Sequence, residues 1–225
     1  MKAALVGASD FAASHFTTQR FDYVVAVDGG YAQVVAAGSQ PDVVVGDFDS
    51  LGYVPEAADV RRFPAEKDES DMELACRVAM EAGCDEIVLY GCLGQRLDHT
   101  IANLQVMLGC AHAGVRMLAV DDGYAVAILH AVHEKPAELA FSAIPPEVLA
   151  NGPYANYVSV FAWGGAAHGV WERGLRYSLD GVTLTDDRSW GLSNEFCGKP
   201  ACIRVEEGSL IVTFPLAAWD YLVWR

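Results

Sequence analysis

Acidic side chains follow short apolar runs, one after another, through the first half of the chain. Those that stand just after such a run or in the loop beyond it are Asp28, Asp47, Asp49, Asp68, Asp71 and Asp98. If the runs are parallel β-strands, these groups meet at the edge of the sheet where the strands end, which is where open α/β sheets bind ligands. Carboxylates crowded together repel one another unless a cation neutralises them, and Mg²⁺ with bridging phosphates suits oxygen ligands. The sequence therefore predicts a metal and phosphate site at this edge.

Two further features of the sequence indicate which residues could bind the metal and the phosphates. Asp47 and Asp49 are two residues apart, which on a strand puts both side chains on the same face, within reach of one metal ion or two adjacent ones. Lys67 and Arg96 are the cations nearest to the acids in the sequence, and Arg96 is suited to a bidentate contact with phosphate oxygens.

The elements that must position these residues are strands alternating with helices. The apolar runs that predict strands are Ala3–Val6, Tyr23–Val27, Asp42–Val45, Val60–Phe63, Glu86–Tyr90 and Val115–Val120. Several are apolar on both faces, which is typical of a parallel sheet covered by helices on both sides. Helices are predicted for Tyr31–Ala37, for the stretch that starts at the capping box Ser70–Glu73, and from Asp98 to His112. This alternation predicts an α/β fold with a parallel, Rossmann-like sheet over residues 1–121.

The sequence changes character after residue 121. Short β-prone runs separated by Gly, Asn, Asp and Pro follow, namely Tyr157–Trp163, Gly169–Trp171, Val182–Leu184, Ile203–Val205 and Leu210–Phe214. Such runs predict an antiparallel β-domain over residues 122–225, a small sandwich or barrel.

Composition narrows the class of protein. The 225 residues carry a formal net charge of −15 and a sequence pI of about 4.6, which argues against general nucleic-acid binding. The six cysteines include no Cys-x-x-Cys pair and are expected to be buried thiols in a reducing compartment. No apolar stretch reaches the roughly 18 residues of a membrane span, and no signal peptide is evident. We expect a cytoplasmic protein without nucleic-acid or membrane partners.

Taken in order, the motifs resemble those of the thiamine pyrophosphokinase family. The resembling segments are Val27–Gly30, Pro41–Ser50, Lys67–Asp71, Gly91–His99, Gly174–Tyr177 and Leu192–Glu195. The resemblance implies an α/β catalytic domain, a C-terminal β-sandwich that binds thiamine, and a homodimer with thiamine near the subunit interface.

The resemblance also implies roles for single residues. Asp47, Asp49 and Asp71 match the acids that bind Mg²⁺ and phosphate, and Asp71 is thereby a catalytic candidate. Asp28, with Lys67 and Arg96, is assigned to ATP. Asp98 matches the aspartate at the thiamine site and is the second catalytic candidate. Tyr177, Ser193 and Asn194 match positions that line the thiamine pocket.

The implied reaction is attack of the thiamine hydroxyl on the β-phosphorus of ATP, with Mg²⁺ bound and AMP leaving. Positioning and charge neutralisation are sufficient for such transfers. Asp98 is expected either to orient the aminopyrimidine of thiamine or to accept the hydroxyl proton.

Other functions remain open from the sequence. Asp47-Phe48-Asp49 also resembles the metal-binding Asp-x-Asp of a nucleotide-sugar glycosyltransferase. A non-catalytic thiamine or nucleotide sensor could retain the same residues, and a related pyrophosphokinase could act on another heterocyclic alcohol.

Overall fold

The computed structural model describes residues 1–48, 52–55, 57–64, 66–150 and 155–224. The chain divides into two compact units, residues 1–122 and residues 123–225. Asp49, the second acid of the Asp-x-Asp motif, lies outside the described residues.

The first unit alternates strands and helices along the chain. Its strands are β1 (Lys2–Val6), β2 (Tyr23–Val27), β3 (Val43–Gly46), β4 (Val60–Arg62), β5 (Glu86–Tyr90) and β6 (Arg116–Val120). Its helices are α1 (Ala13–Thr18), α2 (Gly30–Ala36), α3 (Asp71–Glu81) and α4 (Leu97–His112). Every strand predicted for this part of the chain is confirmed, with bounds that shift by one or two residues at most. Helix α1 was not predicted.

The strands of the first unit form a parallel sheet in the order β6-β5-β1-β2-β3-β4. The central strands are almost entirely buried, which explains their unbroken apolar sequences. Because all the strands run in the same direction, the loops that follow them lie along one edge of the sheet. The parallel arrangement predicted from the sequence is therefore confirmed.

The second unit is built from strands. These are β7 (Tyr124–Ala131), β8 (Ala137–Phe141), β9 (Tyr157–Ala162), β10 (Ala167–Arg173), β11 (Leu179–Leu184), β12 (Asn194–Glu195), β13 (Ala201–Val205), β14 (Gly208–Pro215) and β15 (Leu222–Trp224). A 3₁₀ helix, Leu216–Tyr221, precedes β15. The strands pair antiparallel in the orders β12-β9-β14-β7 and β11-β10-β13-β8-β15. The antiparallel pairing predicted for this half is confirmed.

An aromatic cluster joins the two sets of strands in the second unit. The ring of Phe141 on β8 lies 5.2 Å from that of Phe214 on β14, and 4.9 Å from that of Phe196. All three side chains are buried and the rings meet edge to face, a favourable geometry for aromatic pairs. This cluster fixes the core of the unit.

The cysteines are free thiols, and Cys76, Cys84, Cys92 and Cys110 are buried as predicted. Cys197 departs from the prediction because its side chain is exposed. Among the described residues, no helix combines the length and the apolar character needed to cross a membrane.

The start of α3 depends on one hydroxyl group. Ser70 has an extended backbone, and its Oγ accepts a hydrogen bond of 3.2 Å from the backbone N–H of Glu73. This contact confirms the predicted N-cap, and it satisfies one of the amides that a helix leaves unpaired at its N-terminus.

We therefore expect Ser70→Ala to lower the free energy of unfolding by about 1 kcal/mol, because it removes this hydrogen bond. Ser70→Thr keeps a hydroxyl group and should retain most of the stability. Urea unfolding of the three proteins without ligands measures the difference. Equal losses in the two variants, or none in Ser70→Ala, would contradict the assignment.

Candidate active site

A cavity of about 360 Å³ opens in the first unit where the parallel strands end. Its described lining comes from the loops after β1, β2 and β5 and from α3 and α4, namely Gly7, Ala8, Ser9, Val27, Asp28, Ser70, Asp71, Met72, Gly91, Cys92, His99 and Asn103. The cavity therefore lies at the edge of the sheet where the sequence predicted a ligand site.

Asp28 is held in an unusual conformation at this edge. It follows β2 directly with a φ of +47°, in the left-handed region that aspartate adopts more readily than most side chains. Its backbone N–H donates to the carbonyl of Val45 at 2.9 Å, and its Oδ1 accepts from the N–H of Phe48 at 3.1 Å. These contacts attach the carboxylate to the end of β3. Such a conformation is typical of functional sites.

Gly46 leaves the space that the Asp28 carboxylate occupies. A Cβ atom at position 46 would lie 2.0 Å from Asp28 Oδ1 and 2.8 Å from its Cγ. Both distances are far below van der Waals contact, so a larger residue at the end of β3 would displace the carboxylate. This requirement explains the glycine that precedes Asp47.

Three carboxylates interact at the cavity. Burial raises the pKa of Asp28 to about 6, and the negative charges of Asp71 and Asp47 act in the same direction, while the hydrogen bond from Phe48 opposes the increase. The predicted convergence of acids from separate loops is thus observed for Asp28 and Asp71, which both line the cavity, and the charge of Asp47 also acts on Asp28.

Lys67 neutralises part of this charge. Its Nζ lies 2.5 Å from Asp71 Oδ1, and both side chains are largely shielded from solvent. Asp71 is also the first residue of α3, where the positive end of the helix dipole favours a negative charge. Lys67 and the start of α3 therefore both stabilise the negative charge of Asp71.

The donor set fits a hard divalent cation. Asp28, Asp47 and Asp71 offer oxygen ligands of the kind that Mg²⁺ prefers, and their mutual repulsion is relieved when a cation binds. Within the described residues, no three acidic, histidine or cysteine side chains already surround one point closely enough to hold an ion. A bound ion would therefore draw the carboxylates together.

Arg96 and Asp98 neutralise each other. The guanidinium contacts the carboxylate at 2.6 Å and 3.2 Å, and both side chains are about two-thirds exposed, at 65% and 67%. The hydrogen bond from Arg96 holds the pKa of Asp98 below its usual value. Neither residue belongs to the described lining of the cavity. Their assignments to ATP and thiamine remain predictions that require this ion pair to open.

Several lining residues were not predicted as site residues. Helix α4 contributes His99 and Asn103, and the Nδ2 of Asn103 donates to the carbonyl of Cys92 at 2.6 Å, which fixes the loop after β5. Gly7 and Ser9 follow β1, and the N–H of Ser9 donates to the carbonyl of Gly91 at 3.1 Å. The sequence could have predicted Gly7 and Ser9 as site residues, because they follow a predicted strand of the same parallel sheet.

The predicted thiamine-binding residues of the second unit lie together around one side-chain amide. Asn194 Oδ1 accepts from the N–H of Tyr177 at 3.0 Å, and Asn194 Nδ2 donates to the carbonyl of Tyr177 at 2.7 Å. Ser193 has a left-handed backbone, and its N–H donates to Ser159 Oγ. The ring of Tyr177 is 58% exposed, whereas Asn194 is buried. Asn194 therefore holds the backbone of Tyr177, whose side chain is exposed.

Comparison with known proteins points to one family. Residues 15–119 match the family model described as thiamin pyrophosphokinase, catalytic domain. The thiamine pyrophosphokinase of Bacillus subtilis (strain 168) is 24% identical over 194 residues, which cover 84% of this chain and 85% of that protein.

Solved structures agree with this assignment. The crystal structure of thiamine pyrophosphokinase from Bacillus subtilis aligns with a TM-score of 0.79 and 21% identity, covering 96% of this chain and 99% of that one. The thiamin pyrophosphokinase of Geobacillus thermodenitrificans aligns with a TM-score of 0.72 and 26% identity, over 95% and 96% of the two chains. The mixed α/β fold is shared with these proteins, and the resemblance carried by the motifs is confirmed. The catalytic-domain match, the curated relative and the solved structures thus all identify the same family, that of the thiamine pyrophosphokinases, as the one that this chain resembles.

Proposed function

We propose that this protein transfers a pyrophosphoryl group from ATP to the hydroxyl of thiamine, releasing thiamine diphosphate and AMP in an Mg²⁺-dependent reaction. The observation that carries the proposal is that the acidic cluster lies within the segment that matches the catalytic-domain model. The segment that matches the catalytic-domain model, residues 15–119, contains Asp28 and Asp71, which line one cavity, and Asp47, whose negative charge acts on Asp28. The divalent cation that accompanies a triphosphate would supply positive charge among these carboxylates.

The first unit binds and orients the nucleotide in this proposal. Asp47 and Asp71 would hold the cation close to Asp28, and Asp49, known here from the sequence alone, would add a further ligand. Bound Mg²⁺ supplies charge neutralisation for the phosphate oxygens and for the leaving oxygen. Lys67 stays beside Asp71 and offers its ammonium group to a phosphate oxygen.

The second unit places thiamine. Tyr177 offers an exposed aromatic face, and Ser193 offers a partly accessible hydroxyl group at a left-handed turn. Asp98, freed from Arg96, orients the aminopyrimidine or accepts the proton of the hydroxyl group, and Arg96 turns to the phosphates. Residues 1–121 accordingly form a Rossmann-like catalytic domain and residues 122–225 a sandwich that binds thiamine.

A cytoplasmic homodimer completes the proposal. Tyr177, Trp190 and Leu192 are large side chains exposed by 58%, 58% and 56%, and all of them lie on or near the segments that carry the thiamine motifs. Exposed apolar groups of this size favour a surface that another subunit or a ligand covers. This supports a thiamine site near a subunit interface.

The reaction itself is tested by incubating the purified protein with ATP, Mg²⁺ and thiamine. We expect thiamine diphosphate and AMP in equal amounts, separated by chromatography, and no product when EDTA removes the divalent metal. Formation of ADP and thiamine monophosphate would contradict a pyrophosphoryl transfer. Ligand binding without turnover would favour the sensor.

Asp71→Asn tests the carboxylate cluster. Loss of this charge should lower kcat/KM by about two to three orders of magnitude, because a metal contact stabilises the transition state by several kcal/mol. Glu81→Gln is the matched control, since it removes an exposed carboxylate at the other end of the same helix. Steady-state kinetics at saturating Mg²⁺ decide the question. Equal activity in the two variants would rule out a catalytic role for Asp71.

Gly46→Ala tests the placement of Asp28 without altering any acidic residue. The new methyl group would collide with the carboxylate, so we expect kcat/KM to fall by about tenfold or more and half-saturation to need more Mg²⁺. Gly109→Ala on α4 is the control, because a Cβ atom there meets nothing within 4 Å and alanine favours a helix. If Gly46→Ala folds and retains wild-type kinetics, the position of Asp28 is unimportant.

A further inference from the structure

A buried carboxyl group lies beneath the motif residues of the second unit. Glu172 on β10 is 1% exposed and stands opposite Ile203 of β13 and Leu179 of β11. Burial raises the pKa of its carboxyl to about 7, opposed by a hydrogen bond from Asn194. Among the described residues, no group hydrogen-bonds its Oε1. A buried carboxyl group with an unsatisfied oxygen costs stability, so packing alone does not account for it.

The partner of Glu172 is the amide that organises the thiamine motifs. Asn194 Nδ2 donates one hydrogen to Glu172 Oε2 and the other to the carbonyl of Tyr177. Asn194 Oδ1 accepts from the N–H groups of Tyr177 and Glu195 at 3.0 Å and 2.9 Å. Both hydrogens and both lone pairs of this side-chain amide are therefore used.

Glu172 helps to hold this amide in its orientation. If the amide rotated by half a turn, its oxygen would face the Glu172 carboxyl and the carbonyl of Tyr177, and its NH₂ group would face two N–H donors. Glu172 thus acts together with the main-chain groups of Tyr177 and Glu195 to keep the orientation in which Asn194 holds the backbone of Tyr177. Replacing Glu172 by an apolar residue removes its part of this restraint and leaves Asn194 buried with an unpaired hydrogen.

We propose that Glu172 is a positioning residue of the thiamine site, which acts through Asn194 to fix the backbone of Tyr177 and so the exposed ring that meets thiamine. The inference rests on the proposed function, because it takes Tyr177 as a contact of thiamine. Glu172 itself touches no substrate. Its effect is on the binding of thiamine and not on that of ATP.

Two variants separate the hydrogen bond from the volume of the side chain. Glu172→Met has a similar volume and lacks both oxygens, whereas Glu172→Gln retains an oxygen that can accept from Asn194. We expect Glu172→Met to raise the KM for thiamine by about tenfold while the KM for ATP changes less than about twofold. Glu172→Gln should recover most of the affinity for thiamine.

Ile203→Val is the structural control. It removes one buried methylene group opposite Glu172 and leaves the hydrogen bonds of Asn194 in place. It should lower the melting temperature without changing the KM for thiamine. If Glu172→Met behaves in the same way, the role of Glu172 is structural only and the inference is overturned.

The side-chain amide signal of Asn194 in a ¹H–¹⁵N spectrum tests the inference independently of turnover. Glu172→Met should shift this signal and the backbone N–H signal of Tyr177, and Glu172→Gln should shift them less. Unchanged signals in Glu172→Met overturn the inference, whatever the activity. Absence of thiamine diphosphate synthesis in the wild-type protein contradicts the proposed function instead, and the spectra still decide whether Glu172 orients Asn194.

Discussion

Repulsion among carboxylates at the edge of a parallel sheet is the interaction on which the rest of this structure depends. Parallel strands deliver the loops that follow them to the same side, so Asp28, Asp47 and Asp71 meet although they are far apart in the sequence. The ammonium group of Lys67 contacts Asp71 and offsets the charge of that carboxylate. The fold therefore maintains an unfavourable arrangement of charge that a cation bound to phosphates converts into a favourable one.

The backbone supports this arrangement with little help from other side chains. The carboxylate of Asp28 accepts a hydrogen bond from the backbone N–H of Phe48. It occupies space that is free only because residue 46 is glycine. Asp71 stands at the start of a helix whose first turn Ser70 caps. In the second unit, one side chain likewise holds two residues in place, because the amide oxygen of Asn194 accepts hydrogen bonds from the N–H groups of Tyr177 and Glu195. Both sets of motif residues are positioned by short side chains that form hydrogen bonds with main-chain groups.

The sequence predicted the elements whose patterns are local and strong. Tyr23–Val27 and Glu86–Tyr90 were predicted with the observed bounds because each is a short apolar run between polar residues. Strand β7 was not predicted, since its alanine-rich, almost fully buried sequence shows neither alternation nor strong β propensity. Helix α1 was not predicted either, because it has six residues, no side-chain cap and no acidic first turn.

The position of Asp28 close to Asp71 could be predicted, because it follows from the topology of a parallel sheet. The ion pair of Arg96 with Asp98 and the hydrogen bond between Asn194 and Glu172 could not, because they depend on side-chain conformations that the spacing of residues does not encode.

In the proposed function, the carboxylates of the sheet edge share one cation with a triphosphate. Crystals grown with Mn²⁺ and a non-hydrolysable ATP analogue test it directly, because the anomalous scattering of manganese locates the ion independently of the protein model. We expect an anomalous peak within coordination distance of carboxylate oxygens from Asp47 and Asp71, close to Asp28, with phosphate oxygens completing the shell. A nucleotide bound with its metal away from these aspartates, or a cavity that takes up neither, would contradict it.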